Sequence, residues 1–393
     1  MNRRLTRREL IIGSAATLGT LAMGPALSGC STVVSPPWKR KMRPSYDAVV
    51  IGSGFGGAVA ACRLAHAGLS VAVLERGRRY DLNPFPRNWH SLSAGWFWSS
   101  SDPGLFDVRL YPEMTVVQAA GLGGGSLVYA NVQMRAPAAV FDHGWPQGYS
   151  RAALDPYYDL VAYMLDINPI PKSNLPAKSR AMEAAARTLG RSGQFSFPNL
   201  AVDFGPSGVE HQNKFGVRQR GCTYCGECCV GCNFHAKNTL DLNYLAIAHL
   251  KGADIATLCE VSRIEPADTG YKVSFKDRVN DGKAGEITAR YCFVCAGAVN
   301  STELLLRCRD VHGTLSKLSP RLGDNYSGNG DFLSFAFNMR GRAPLSRPAS
   351  FMTVSTMAPA TGSSSKKAAI RDKSTRFCSC SIPISVCSGP WAR

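Results

Sequence analysis

Gly52-Ser53-Gly54-Phe55-Gly56-Gly57, with Glu75 eighteen residues beyond Gly57, has the spacing of a dinucleotide-binding turn. Each position has a chemical reason. Gly52 permits the tight turn, Gly54 lets the main chain approach a pyrophosphate, and Gly57 lets a helix pack closely on a strand. The helix N-terminus then offers unpaired N–H groups and the positive end of a dipole to the phosphates. Glu75 is placed to accept hydrogen bonds from adenosine ribose hydroxyls, and its charge disfavours the 2′-phosphate of NADP. A second set of reactive residues is Cys222, Cys225, Cys228, Cys229 and Cys232, all within eleven residues. Without Cys229 these read C-x2-C-x2-C-x3-C, the spacing of an iron–sulfur ligand run. The proline that often follows the fourth ligand is replaced by Asn233. Structural thiols or disulfides and a zinc site therefore stay open beside an iron–sulfur cluster.

The turn has the flanking elements it needs. Ala48 to Ile51 is a continuous apolar run that predicts a buried strand, a small-residue helix follows through Ala67, and Gly68 can close it. Leu69 to Leu74 is a second apolar run ending at the acid. Strand, turn, helix, strand and acid in register predict an α/β fold with a Rossmann-like domain. Gly121 to Gly125 holds four glycines in five residues and opens the segment Gly123-Gly124-Gly125-Ser126-Leu127-Val128-Tyr129-Ala130-Asn131. Glycine loses the most backbone entropy on ordering, so such a loop belongs where main chain must touch something flat or take positive φ. A flavin ring with its ribityl-pyrophosphate tail supplies that need. Further on, Tyr291 to Val294 predicts a short strand and Ala296-Gly297 a turn, with Ser301 as the cap of a helix running to Leu306.

Composition narrows the function. The chain of 393 residues has room for two domains, and its formal charge is +17. Residues 1–44 hold eight Lys/Arg against one Glu, and residues 340–393 hold nine against one Asp, which leaves only +2 for everything between. The basicity therefore belongs to the ends, and a nucleic-acid partner is not expected. Thr6-Arg7-Arg8-Glu9-Leu10-Ile11 is a twin-arginine pattern, followed by an apolar stretch as far as Leu27. Leu27-Ser28-Gly29-Cys30 has the form of a lipoprotein cleavage box, with Cys30 as the acylated residue. Residues 1–44 are thus expected to be an export signal and tether, giving a periplasmic or cell-surface protein held on the membrane by a lipid; an uncleaved membrane anchor is the alternative. No other segment is long and apolar enough to span a bilayer.

With these residues in view, the chain resembles the glucose–methanol–choline (GMC) flavin oxidoreductases, and within them the cholesterol-oxidase-like branch. The resemblance rests on Tyr46–Glu75, the glycine loop, Gly144-Trp145-Pro146 and Leu154-Asp155-Pro156-Tyr157-Tyr158. It continues through Ala236-Lys237-Asn238-Thr239-Leu240-Asp241, Cys295-Ala296-Gly297-Ala298-Val299-Asn300-Ser301-Thr302 and Gly328-Asn329-Gly330-Asp331, over about residues 45–338. It implies FAD, held non-covalently or through one covalent bond. By resemblance Gly52, Ser53, Gly54, Phe55, Gly56, Gly57 and Glu75 serve the ADP half, while Gly123, Gly124, Gly125, Ser126 and Asn131 lie along the flavin. Val261 would contact the adenine through its backbone, and Gly297 and Ala298 would line a second approach to the cofactor. The activity implied is oxidation of an alcohol CH–OH group by hydride transfer to flavin N5, with a sterol or similar apolar alcohol as substrate. Oxygen or a respiratory electron acceptor would take the electrons. A sugar or polyol dehydrogenase with an iron–sulfur relay, and an inactive flavin-binding remnant, are the other readings.

The resemblance also divides the chain. Residues 45–134 and 215–323 are expected to form the FAD-binding domain, the second part carrying the cysteines. Residues 135–214 are the expected cap and substrate region, and 324–338 begin the sheet of an interleaved, incomplete α+β substrate domain. Trp89, Trp96, Phe97 and Trp98 either face a lipid-like substrate or membrane or pack in the core. Residues 339–393 are rich in Ser and basic residues, without a sustained period, and are expected to be a disordered tail foreign to the family. Family members continue with a His, and an Asn or second His, beside flavin N5. None of the seven histidines stands in that context, so a truncated or frameshifted chain is expected and no catalytic base is assigned.

Overall fold

The computed structural model describes residues 42–80, 85–87, 95–99, 101–279 and 282–327. The twin-arginine pattern and Cys30 of the expected export signal, Trp89, the segment from 328 to 338 and the basic tail lie outside these residues. Two compact units divide the chain. Among the described residues, one comprises those up to Leu127, Glu210–Gln219 and Asn238–Asp324; the other comprises Val128–Val209, Arg220–Lys237 and residues 325–327.

The first unit is built on a six-stranded sheet. Strand β1 (Ser45–Ile51) leads through the glycine turn into helix α1 (Phe55–His66) and strand β2 (Val71–Leu74). A two-stranded hairpin of β3 (Phe106–Leu110) and β4 (Thr115–Ala119) follows. Helix α2 (Tyr244–Leu250) then precedes β5 (Asp254–Ala256), β6 (Cys259–Ala267), β7 (Gly270–Asp277), β8 (Lys283–Val294) and helix α3 (Ala298–Leu306). The sheet order is β6-β7-β8-β1-β2-β5. Strands β8, β1, β2 and β5 run parallel, with Val50 opposite both Phe293 and Val73, while β6-β7-β8 is an antiparallel meander. This is a Rossmann-like mixed α/β fold of FAD-binding topology.

The sequence explains why. Parallel strands covered on both faces read as unbroken apolar runs, and Ala48, Val49, Val50, Val71, Ala72 and Val73 are all fully buried. Helix α1 turns Ala58, Ala61, Cys62 and Ala65 inward, and these small side chains let its axis lie close to the sheet. It ends at Ala67, and Gly68 takes φ +82°, the left-handed conformation that stops a helix. Two expectations need correction. The strand expected over Tyr291–Val294 is twelve residues long, because its polar first half pairs with β7 in the meander before its apolar end pairs with β1. Gly285 in that polar half lies under the Phe275 ring, where a Cβ would stand 2.5 Å from Cζ. Helix α3 starts at Ala298, not at Ser301. Gly297 caps it at φ +84°, and the Ser301 hydroxyl accepts a hydrogen bond from the Ala296 N–H (2.9 Å).

Among the described residues, the second unit holds two α-helices, Arg151–Met164 and Ala177–Thr188. Ser150 caps the first by accepting from the Ala153 N–H (3.1 Å). Its core gathers Ile170, Leu200, Val202, Cys222 and Ala236. Among the described residues no helix is long and apolar enough to cross a membrane.

Candidate functional site

The turn after β1 is tight for a visible reason. Gly52 has φ +93°, and a Cβ there would lie 2.5 Å from the Cys295 carbonyl oxygen at the end of β8. A Cβ on Gly57 would meet the Gly52 carbonyl oxygen at 1.9 Å. Helix α1 therefore begins as close to the turn as main chain allows. Gly54 faces the other way, its nearest neighbour being the Gly124 Cα at 3.9 Å from an added Cβ. Phe55 and Gly56 open the helix, with Phe55 exposed.

Glu75 is buried, and its carboxylate organises this turn. Oε2 accepts from the Ser53 N–H (3.0 Å) and the Ser53 hydroxyl (2.6 Å), and Oε1 accepts from the Gly77 N–H (2.8 Å). A carboxylate offers about four lone-pair sites, so Glu75 keeps capacity for ribose hydroxyls. The glycine loop joins the same network. The Gly123 N–H donates to the Ser53 hydroxyl (3.0 Å), and the Ser126 hydroxyl donates to the Gly123 carbonyl (2.7 Å) while accepting from the Leu240 N–H (3.1 Å). Gly123 and Gly124 have φ +104° and +52°, and Gly124–Leu127 forms a single 3-10 turn. A Cβ on Gly124 would stand 2.6 Å from the Gly54 Cα, so the two glycine motifs touch backbone to backbone. Gly125 has nothing within 4 Å of an added Cβ.

The remaining expected cofactor residues fall as follows. Val261 lies in β6 where the pairing with β7 shifts register, a bulge that frees backbone groups from the ladder. Gly297 and Ala298 form the start of α3. Asn131, in the second unit, is 1% exposed at φ +54°, and its Oδ1 has no hydrogen-bond partner. Within the first unit, the open-faced Gly54 and Gly125, a helix N-terminus and a buried acid fit a dinucleotide.

The structure gives the iron–sulfur reading of the cysteines no support. Among the described residues no group of three or more His, Cys, Asp or Glu is arranged to hold a metal ion. Cys222, Cys225, Cys228 and Cys232 are thiols that line one pocket beside Val202 and Phe234. Between them Tyr224, Gly226 and Gly231 take positive φ and turn the chain. Burial pushes the Cys222 thiol up to about 12, and it raises Cys225 and Cys232 as well.

Two features escaped the sequence reading. Lys237 is 1% exposed, and its ammonium donates to the Cys228 carbonyl (2.6 Å) and the Tyr129 carbonyl (3.2 Å), 5.2 Å from the centre of the Tyr129 ring. It ties the cysteine segment to the residues just past the glycine loop. The Ser53 hydroxyl as the link between the two glycine motifs was the other. A lysine inside Ala236–Leu240, an otherwise inward-facing run, was the available signal for the first; spacing carries none for the second. The aromatic cluster divides. Trp96 is buried and stacks on Phe106 (6.3 Å), Phe97 is exposed, and Trp98 lies between the Arg76 (4.1 Å) and Arg278 (5.6 Å) guanidinium groups.

Residues 46–325 match the family model for GMC oxidoreductase. The chain belongs to the GMC oxidoreductase family. The GMC match stops at 325, short of the 338 expected from the motifs. A cholesterol oxidase from Acinetobacter baumannii is 31% identical over 73% of this chain and 54% of its own length. A cholesterol oxidase from Mycobacterium tuberculosis is 32% identical over 72% of this chain and 51% of its own. This GMC chain thus spans about half the length of these curated relatives. Among solved structures, pyridoxine 4-oxidase from Mesorbium loti is similar at 18% identity, with a TM-score of 0.45 over 67% of this chain and 51% of that one.

Proposed function

We propose that this chain binds FAD and serves the oxidation of an alcohol CH–OH group, with a sterol or similar apolar alcohol as substrate. The observation that carries the reading is the preformed turn between β1 and α1, closed on the buried Glu75 and touching the glycine loop. Membership in the GMC family and the two relatives named as cholesterol oxidases support the reaction and the substrate class. In this assignment the turn and the α1 N-terminus hold the pyrophosphate and Glu75 accepts from the adenosine ribose. The Val261 main chain meets the adenine, while Gly123, Gly124, Gly125, Ser126 and Asn131 lie along the flavin and Gly297 and Ala298 close the second side. Bound there, the flavin supplies the hydride acceptor at N5. Oxygen or a respiratory acceptor takes the electrons. The twin-arginine pattern supports export, and Leu27–Cys30 supports a lipid anchor on Cys30; mass spectrometry of the mature N-terminus tests both.

The reaction is tested by loading the purified chain with FAD and adding alcohols without oxygen. Bleaching of the flavin by sterols supports the proposal. Bleaching by sugars alone reassigns the substrate, and bound flavin that no alcohol bleaches makes the chain a flavin-binding protein without this activity.

A further inference from the structure

We propose that Ser53 is a positioning residue that couples ribose recognition at Glu75 to the conformation of the glycine loop. The inference rests on the FAD reading above. Ser53 is fully buried and Glu75 is 6% exposed, so water has little access to replace either partner. The Ser53 hydroxyl carries one proton. That proton goes to Glu75 Oε2 at 2.6 Å, a charge-assisted bond, rather than to the Gly121 carbonyl at 3.4 Å. The hydroxyl oxygen is then the acceptor for the Gly123 N–H at 3.0 Å. The result is one chain of hydrogen bonds, Gly123 N–H to Ser53 O–H to Glu75 carboxylate, and such chains polarise one another.

The coupling has a mechanical side too. Ser53 also donates its own N–H to Glu75 Oε2 (3.0 Å), so the carboxylate holds both the side chain and the main chain of the turn. Gly124 abuts Gly54, the next residue, so closely that a Cβ on Gly124 would stand 2.6 Å from the Gly54 Cα. A ribose hydroxyl that engages Glu75 therefore acts on the residue that fixes Gly123. Prearranging the loop this way lowers the ordering cost when the flavin half binds. Ser53 thus joins the two halves of the cofactor site and does not simply line the ADP half.

Ser53→Ala removes the hydroxyl and leaves the Gly123 N–H buried without its acceptor. We compare its affinities for FAD and for AMP, which carries the ribose and lacks the flavin, by fluorescence quenching and calorimetry. The expected result is FAD binding weakened about tenfold or more, with AMP changed less than about twofold; Ser53→Cys, a weak donor of similar size, falls between. Equal weakening of both nucleotides, or of neither, overturns the coupling. Should the variants not fold, hydrogen exchange on the unaltered protein decides. AMP is expected to slow exchange in residues 121–125 as well as 52–57, and protection confined to 52–57 overturns the proposal. An unaltered chain that binds neither nucleotide refutes the FAD reading and this inference together. One that binds both, while Ser53→Ala keeps their ratio, refutes the coupling alone.

Discussion

Gly56 and Gly57 are neighbours in the first turn of α1, and the structure predicts opposite consequences for replacing each with alanine. At Gly57 an added Cβ lies 1.9 Å from the Gly52 carbonyl oxygen, against the 3.0 Å that real contacts respect. The obstruction is backbone on both sides, so the turn must open by about 1 Å. Overpacking of this kind costs about 1–3 kcal/mol. Alanine recovers at most about 1 kcal/mol through its helix propensity, so Gly57→Ala is expected to destabilise by about 1–2 kcal/mol. The opened turn also misplaces the N–H groups meant for the pyrophosphate, and FAD affinity is expected to fall about tenfold, or about 1.4 kcal/mol. At Gly56 the nearest atom is the Cys295 Sγ at 4.0 Å, an ordinary contact. Gly56→Ala is therefore expected to stabilise by about 0.5 kcal/mol through the unfolded state. Urea denaturation of both variants, with FAD titrations alongside, measures the contrast. Equal stabilities for the two variants, or a Gly57→Ala protein that binds FAD normally, would refute the steric account of the turn.

Three further outcomes are expected. Asp107 is buried and held by Arg76 (2.5 Å) and Arg109 (2.8 Å); burial alone raises its carboxyl, but the two guanidinium groups outweigh it and hold it below the usual range. Its stabilisation is thus complete above about pH 4 and lost as pH falls further, so Asp107→Asn should cost about 3 kcal/mol at neutral pH and flatten the acid limb of a melting-temperature profile. Lys237→Met leaves the Tyr129 and Cys228 carbonyls without their shared donor and should destabilise by about 1–3 kcal/mol in denaturant titrations. The Cys222 thiol, pushed up to about 12, should stay protonated and resist alkylation at pH 8 when peptides are mapped by mass spectrometry, and metal analysis of the purified chain should find no stoichiometric iron or zinc.

The first seventy-five residues show how much a sequence can reveal. Val49 and Val50 are buried on both faces of a parallel sheet, so their apolar run needs no partner strand to be legible, and Gly52 and Gly57 sit where main chain meets main chain. The polar half of β8 was not legible because its side chains answer to cross-strand neighbours such as Phe275, which lie outside any local window. The α3 start was missed because Ser301 caps backward onto Ala296 from inside the helix. Cysteine spacing is limited for a related reason. It records separation along the chain, while Tyr224, Gly226 and Gly231 decide where the thiols point. Ser53 shows the same limit, since its partners Glu75 and Gly123 are distant in sequence and meet only in the fold.

The central claim is that the β1–α1 turn, Glu75 and the glycine loop together hold FAD. Titrating the purified chain with FAD, and identifying what it releases on heating, tests this most directly. The account predicts stoichiometric FAD, displaced by AMP and weakened at least tenfold by Glu75→Gln. A folded chain that takes up no FAD, or that binds it unchanged after Glu75→Gln, would contradict it.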